Sequence, residues 1–170
     1  MSEQQTIPFW DKQIETASRE EIGKIQLEGL RRQIEQGMKT EFYRPRLVEA
    51  GITSPEDIQS LSDIRKLPFT TKNDLREAYP YGLLAVPQDD VVRLHASSGT
   101  TGTPTVIFLT QKDIDTASDT MARALASVGG SKKDVIQNMM SYGLFTGGMC
   151  FHYGAERLGA MVIPTGREIP

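Results

Sequence analysis

The chain has 170 residues, 38% of them hydrophobic and 24% charged, with 19 basic side chains against 22 acidic ones and a formal charge of -3. That length holds one domain with a real core and is short for a two-domain enzyme, since domains run to about 100–200 residues. The two signs are interspersed without a basic block, which argues against nucleic acid as a partner. Met1 to Asp11 is polar and lacks an apolar stretch, and no run approaches the roughly 18 apolar residues of a membrane span, so neither an export signal nor a membrane segment is expected. The single cysteine, Cys150, cannot form an internal disulfide; it fits a reducing cytosol and reads as a small buried apolar side chain rather than a catalytic thiol.

Ser18 with Glu21 three residues on is a capping box, and Ile22, Ile25, Leu30 and Ile34 follow at helical spacing up to Gly37. Ser54-Pro55-Glu56-Asp57 predicts a second start and a short helix to about Leu61. Thr71 with Asp74 predicts a third, stopped before Pro80, so residues 1–85 are read as a mostly helical segment. From residue 86 the character changes. Val91, Val92 and Leu94 predict a strand, a Ser/Thr/Gly-rich stretch follows, and Val106 to Leu109 predict a second strand. Thr110 with Asp113 opens a helix with Ile114, Ala117, Met121, Leu125 and Val128 on one face, closed by Gly129 and Gly130. Val135 to Met139, a helix around Phe151 to Leu158 and a buried strand at Met161 to Pro164 fit a β–α–β crossover. The expected fold class is therefore α/β, a helical N-terminal layer followed by a mixed sheet.

The chemistry concentrates between the first two strands, in Ser97-Ser98-Gly99-Thr100-Thr101-Gly102-Thr103-Pro104-Thr105. Glycines let the backbone come close to a ligand, while successive N–H groups and hydroxyls donate to phosphate oxygens. The string is not the P-loop of NTPases, because Gly102 is followed by Thr103 and not by lysine, and it leads into a strand. Nor does the spacing of Gly143, Gly147 and Gly148 make a dinucleotide fingerprint. From composition alone the loop is equally a hydrophilic surface connection.

The string Ser97 to Pro104 resembles the signature phosphate loop of the adenylate-forming superfamily of acyl- and aryl-CoA synthetases, adenylation domains and luciferases. Arg93 to Gly102, Leu67 to Arg76, Tyr142 to Gly148, His152 to Glu156 and Gly159 to Pro164 are similar to the phenylacetate-CoA ligase branch in particular. Most members of the superfamily carry a lysine in the loop after the proline. Here Thr105 stands there, as in that branch.

The resemblance implies an N-terminal part of the large domain of an ATP-dependent ligase that joins an aryl acid, phenylacetate first, to CoA through an acyl-adenylate. It implies ATP, Mg²⁺ and CoA as reactants, a homodimer at full length, and the phosphates of ATP held by Ser97, Ser98, Gly99, Thr100, Thr101, Gly102 and Thr103. Tyr142, Phe145 and Gly147 are the expected aryl-acid pocket, with the alternative that both rings are core between packed layers. Where relatives carry a further aromatic just upstream, Met139 and Met140 stand here. No protein nucleophile is needed, because the substrate carboxylate attacks. His95 and His152 read as packed, hydrogen-bonded histidines, Lys112 as a solvated lysine, and no protein-bound metal is expected. Family segments for adenine and ribose, the hinge and the C-terminal lysine are not found before Pro170, which makes an inactive fragment the expectation for the chain as printed. The alternative is a truncated stand-alone phosphate- or nucleotide-binding domain without turnover.

Overall fold

The computed structural model describes residues 9–97 and 104–167. They divide into two compact units, one built on residues 17–91 and 104–106 and the other on residues 92–97 and 107–167, with residues 9–16 belonging to the second. Among them no helix is long and apolar enough to cross a membrane.

In the first unit, helix starts are set by Ser or Thr standing three residues ahead of an acid. After the single turn α1 (Lys12–Glu15), which belongs to the second unit, Ser18 and Glu21 exchange hydrogen bonds of 3.2 and 2.7 Å and open α2 (Arg19–Gly37). α3 (Tyr43–Glu49) has Pro45 in its first turn and carries no acid signal, and the sequence reading missed it. It is started instead by Thr40, 4% exposed, whose hydroxyl donates to the Gly37 carbonyl at 2.9 Å and accepts from the Tyr43 N–H at 3.0 Å. The short helix expected from Ser54 is in fact two 3₁₀ turns, Pro55–Asp57 and Leu61–Lys66. A second pair, Ser60 and Asp63, restarts the chain before the first turn can lengthen: Asp63 accepts from the Gln59 and Ser60 N–H groups at 2.9 and 2.8 Å. Thr71 and Asp74 then open α4 (Lys72–Glu77).

These turns deliver Ile34, Leu47, Ile52 and Ile58 to one core, with Ile52 and Ile58 at 1% and 0% exposure, against which Leu30, Met38, Tyr43 and Leu67 pack. Burying such a side chain contributes about 1.5–3 kcal/mol. Arg31 pins the 3₁₀ segment to α2 by donating to the Ile58 carbonyl at 2.8 Å.

The capping acids make this unit sensitive to acid. Glu21 is held below the ordinary carboxyl range first by the Ser18 hydroxyl, Asp57 by the Thr53 N–H, and Asp74 by the Thr71 hydroxyl. Asp63 is held well below that range, first by the Lys66 ammonium and next by the Ser60 N–H. Groups with depressed folded-state values stabilise the fold above their unfolded values, near pH 4, and lose that contribution as pH falls through the folded ones. The thermal midpoint followed by circular dichroism should therefore hold steady from about pH 7 to 5 and drop below about pH 4. A midpoint unchanged down to about pH 2.5 would rule the caps out as a stabilising set.

In the second unit β1 (Val91–Ala96) pairs with β2 (Val106–Thr110). Thr110 and Asp113 cap α5 (Gln111–Ser127), which ends through Val128 into Gly129 at φ 93°, a left-handed position that favours glycine. β3 (Val135–Gln137), α6 (Thr146–Leu158) and β4 (Met161–Ile163) form the expected crossover, with Val135 opposite Met161 and Gln137 opposite Ile163 in parallel register. β4 is not the buried strand expected, however, since Met161 and Ile163 are exposed. α6 starts five residues before the Phe151 expected from sequence. α5 and α6 approach through small residues: Ala122, Ala126 and Ala155 are buried, and Gly154 lies directly against the Met121 side chain. Arg157 of α6 donates to Asp119 of α5 at 2.7 Å, and Cys150 on α6 is half-buried.

Candidate functional site

β1 and β2 are the two arms that hold the hydroxyl-rich loop. The structure describes Ser97, which is exposed, together with Pro104 and Thr105 on the far side, while Ser98, Gly99, Thr100, Thr101, Gly102 and Thr103 lie outside the described residues. His95, two residues before the loop, is 3% exposed, and its Nδ1 lies 3.2 Å from the Leu144 carbonyl oxygen. It is the packed, hydrogen-bonded histidine that its strand position predicts. The next residue, Ala96, donates its N–H to the same carbonyl at 2.9 Å. Lys112, in the first turn of α5, is exposed.

Leu144 belongs to the connection between β3 and α6, and this connection is organised by a residue that the sequence reading did not single out. Asn138 is 5% exposed. Its Nδ2 donates to the Gly148 carbonyl and to the Tyr142 hydroxyl, both at 2.8 Å, and its Oδ1 accepts from the Met140 N–H at 3.1 Å. An amide nitrogen facing a carbonyl and an amide oxygen facing an N–H fix the amide orientation from chemistry alone. The Asn138 backbone is engaged as well, donating to the Ile163 carbonyl at 2.9 Å and accepting from the Gly166 N–H at 3.0 Å. The available sequence signal was a lone Asn closing an apolar strand, where its amide has to find buried partners.

The Tyr142 hydroxyl accepts from Asn138 and lies 3.2 Å from His152 Nδ1, while His152 Nε2 lies 3.2 Å from the Glu156 carboxylate. Every polar atom is paired if Tyr142 donates to Nδ1 and the proton on Nε2 faces Glu156. Both polar handles of this ring pair are thus spent inside the crossover. The rings meet edge to face at 5.8 Å between centroids.

Phe145 is placed differently. It precedes the first residue of α6, is 53% exposed, and its ring edge lies 3.3 Å from where a Cβ on Gly147 would stand. The Met140 methyl approaches the same point to 2.5 Å. The bare α-carbon of Gly147 thus lets the Phe145 ring edge and the Met140 methyl pack close against it, while the Tyr142 hydroxyl is engaged by Asn138 and His152. Met139 and Met140 are 52% and 37% exposed.

Besides a cavity of about 670 Å³ among Phe42, Arg46, Glu77, Tyr79 and Tyr81 in the first unit, two smaller ones lie elsewhere. One of about 390 Å³ in the second unit is lined by Arg93, Gln111, Asp115, Ser118, Tyr153 and Glu156 among others, with the Arg93 guanidinium 4.6 Å above the Tyr153 ring. An apolar one of about 310 Å³ in the first unit lies among Leu30, Ile34, Leu47, Leu67 and Leu83. Neither is lined by Tyr142, Phe145 or Gly147.

No protein-family profile matches the chain. Phenylacetate-coenzyme A ligase of Pseudomonas putida is 52% identical over 152 residues, covering 89% of this chain and 34% of that protein. The Escherichia coli enzyme of the same name is 51% identical over 152 residues, 89% of this chain and 35% of that protein. That of Thermus thermophilus is 44% identical over 157 residues. Among solved structures, an open conformation of 2-hydroxyisobutyryl-CoA ligase in complex with 2-HIB-AMP and CoA superposes with a TM-score of 0.86 at 27% identity, over 100% of this chain and 40% of that one. The same ligase in its thioesterification state gives 0.86 at 28% identity. The chain spans about a third of the length of the curated relatives it matches. Its α/β fold fits part of the large domain of such enzymes, and over that third it is a relative of the phenylacetate-CoA ligases among the adenylate-forming acyl-CoA synthetases.

Proposed function

We propose that this sequence supplies the phosphate-binding and acid-binding parts of an AMP-forming aryl-acid CoA ligase, with phenylacetate as the acid. The observation that supports the reading is the shared carbonyl of Leu144. Through it β1, the strand leading into the hydroxyl-rich loop, is hydrogen-bonded to the residue preceding Phe145. An oxygen of the acid attacks the α-phosphorus of ATP, the bond to pyrophosphate breaks, and an acyl-adenylate forms. The CoA thiol then attacks the acyl carbon, releases its proton, and expels AMP.

The chain's own residues have two tasks in the first step. Ser97 to Thr103, rich in N–H and hydroxyl donors, hold the β- and γ-phosphates of ATP, which enters as its Mg²⁺ complex, and so stabilise the charge gathering on the leaving pyrophosphate. Phe145, above the bare α-carbon of Gly147, offers a ring face to a planar aryl group. A flexible Met140 beside it adapts to the ring's substituents.

Pyrophosphate release from ATP with phenylacetate, CoA and Mg²⁺ tests the reading, run on the 170-residue chain and on any longer product of its reading frame. Acid-dependent release by either is expected. Release with other aryl acids but not phenylacetate would move the substrate and keep the class, and no release with any acid tested would sink the reading. In the active form, Phe145→Ala should raise the KM for the aryl acid roughly tenfold, the worth of one aromatic contact, while leaving the KM for ATP nearly unchanged. Equal increases for both substrates would take Phe145 out of the acid site.

A further inference from the structure

The ring of Phe145 is half in solvent, so few side-chain contacts hold it in place. Its direction has to come from the backbone. The Leu144 carbonyl and the Phe145 nitrogen lie in one peptide plane, and a plane gripped at its oxygen fixes where the next α-carbon points. That oxygen is gripped twice from β1, by the Ala96 N–H at 2.9 Å and by His95 Nδ1 at 3.2 Å. The backbone donor is set by chain geometry and would survive most substitutions. The imidazole is the replaceable half of the clamp, and at 3% exposure it has no solvent to exchange with. A buried Nδ1 facing a carbonyl carries the proton, since an unprotonated nitrogen there would set two acceptors against each other.

We infer that His95 is a positioning residue for the acid site: its Nδ1–H holds the Leu144–Phe145 peptide so that the Phe145 ring faces the aryl group, two residues ahead of the loop that holds the phosphates. This rests on the function proposed above and deepens it. The consequence is asymmetric. Losing the Nδ1 donor loosens Phe145 and weakens the acid, and it leaves the ATP phosphates to the loop. A histidine that only fills the core would, when replaced, lower stability and leave both Michaelis constants alone.

Substitution by Asn, whose amide nitrogen occupies the place of Nδ1, separates these roles from substitution by Leu, which has similar size and no donor, and by Gln, whose amide reaches one bond further. In the active form of the protein, pyrophosphate release and thermal midpoint are measured for wild type, His95→Asn, His95→Leu and His95→Gln. The expected result is a KM for the aryl acid raised roughly tenfold in His95→Leu, the equivalent of one hydrogen bond, restored to within about threefold in His95→Asn, with the KM for ATP within about twofold throughout. If His95→Leu does not fold, the contrast between Asn and Gln carries the comparison, with the acid KM raised in Gln and not in Asn. Variants with lowered midpoints but wild-type acid KM values, or equal acid KM values for the Asn and donor-lacking variants, would overturn the clamp and leave the ligase reading intact. Absence of release by wild type itself would overturn both.

Discussion

Gly148→Ala is expected to destabilise the protein by roughly 2–3 kcal/mol, a fall in thermal midpoint of roughly 5–10 °C for a chain of this size. Gly148 lies in the first turn of α6 and is buried. A Cβ there would run directly into the Ser141 carbonyl oxygen and come within 2.9 Å of the Ser141 carbonyl carbon. Both obstacles are backbone, and the connection they belong to is anchored on either side, by Met140 to Asn138 and by Leu144 to β1. Ala gains about 1 kcal/mol over Gly in helix propensity, which a clash of this kind outweighs. Two other glycines serve as internal controls. Gly23, in α2, has nothing within 4 Å of its Cβ position, so Gly23→Ala should stabilise by up to about 1 kcal/mol. Gly147 meets the Met140 methyl at 2.5 Å, the free end of a flexible side chain, so Gly147→Ala should cost little stability while filling the proposed acid site. Chemical or thermal unfolding of the three variants settles the order; if Gly148→Ala proves as mild as Gly147→Ala, the Ser141 carbonyl is not the fixed wall described here.

How far the fold could be read in advance depended on whether its cause was local. The pairs Ser18–Glu21, Thr71–Asp74 and Thr110–Asp113 marked three helix starts because the partners stand three residues apart. α3 escaped because the hydroxyl at its start, Thr40, has Tyr43 and not an acid three residues on, and because the segment is held by burial of Leu47 against Ile34, Ile52 and Ile58. α6 was read as starting too late because Gly147 and Gly148 look like a loop by propensity, whereas Gly148 is required there by close packing. The string Ser97 to Pro104 pointed to phosphate only through its resemblance to a family loop, since its donor-rich composition alone left a hydrophilic surface connection equally open. Tyr142 and Phe145 were both read as acid-pocket candidates, Phe145 ahead of Tyr142, three residues apart in one glycine-rich segment. What separates them is non-local: Asn138 and His152 take up the Tyr142 hydroxyl, whereas the Phe145 ring is 53% exposed.

Asn138→Leu is the second substitution expected to have a large effect, a loss of roughly 3 kcal/mol. Leucine keeps the volume and removes three partners at once, leaving the Gly148 carbonyl, the Met140 N–H and one side of the Tyr142 hydroxyl without their bonds at a site that is 5% exposed. Each buried group left unpaired costs about 1–3 kcal/mol, and relaxation toward solvent recovers part of the total. Asn138→Asp tests the same wiring with a pH signature. The carboxylate can still accept from the Met140 N–H and from the Tyr142 hydroxyl, but it sets a second acceptor against the Gly148 carbonyl, where Asn138 had placed a donor. Burial and that carbonyl both disfavour the charged form, so the folded-state value of the new carboxyl rises above its unfolded value near 4. A raised acid penalises folding above the unfolded value and is relieved as pH falls through the folded one, when the protonated oxygen donates to Gly148. The stability gap between Asn138→Asp and wild type should therefore narrow from about pH 8 toward about pH 5, before the capping acids begin to titrate. A gap that stays constant over that range would mean that the amide at 138 faces solvent or water and not the Gly148 carbonyl.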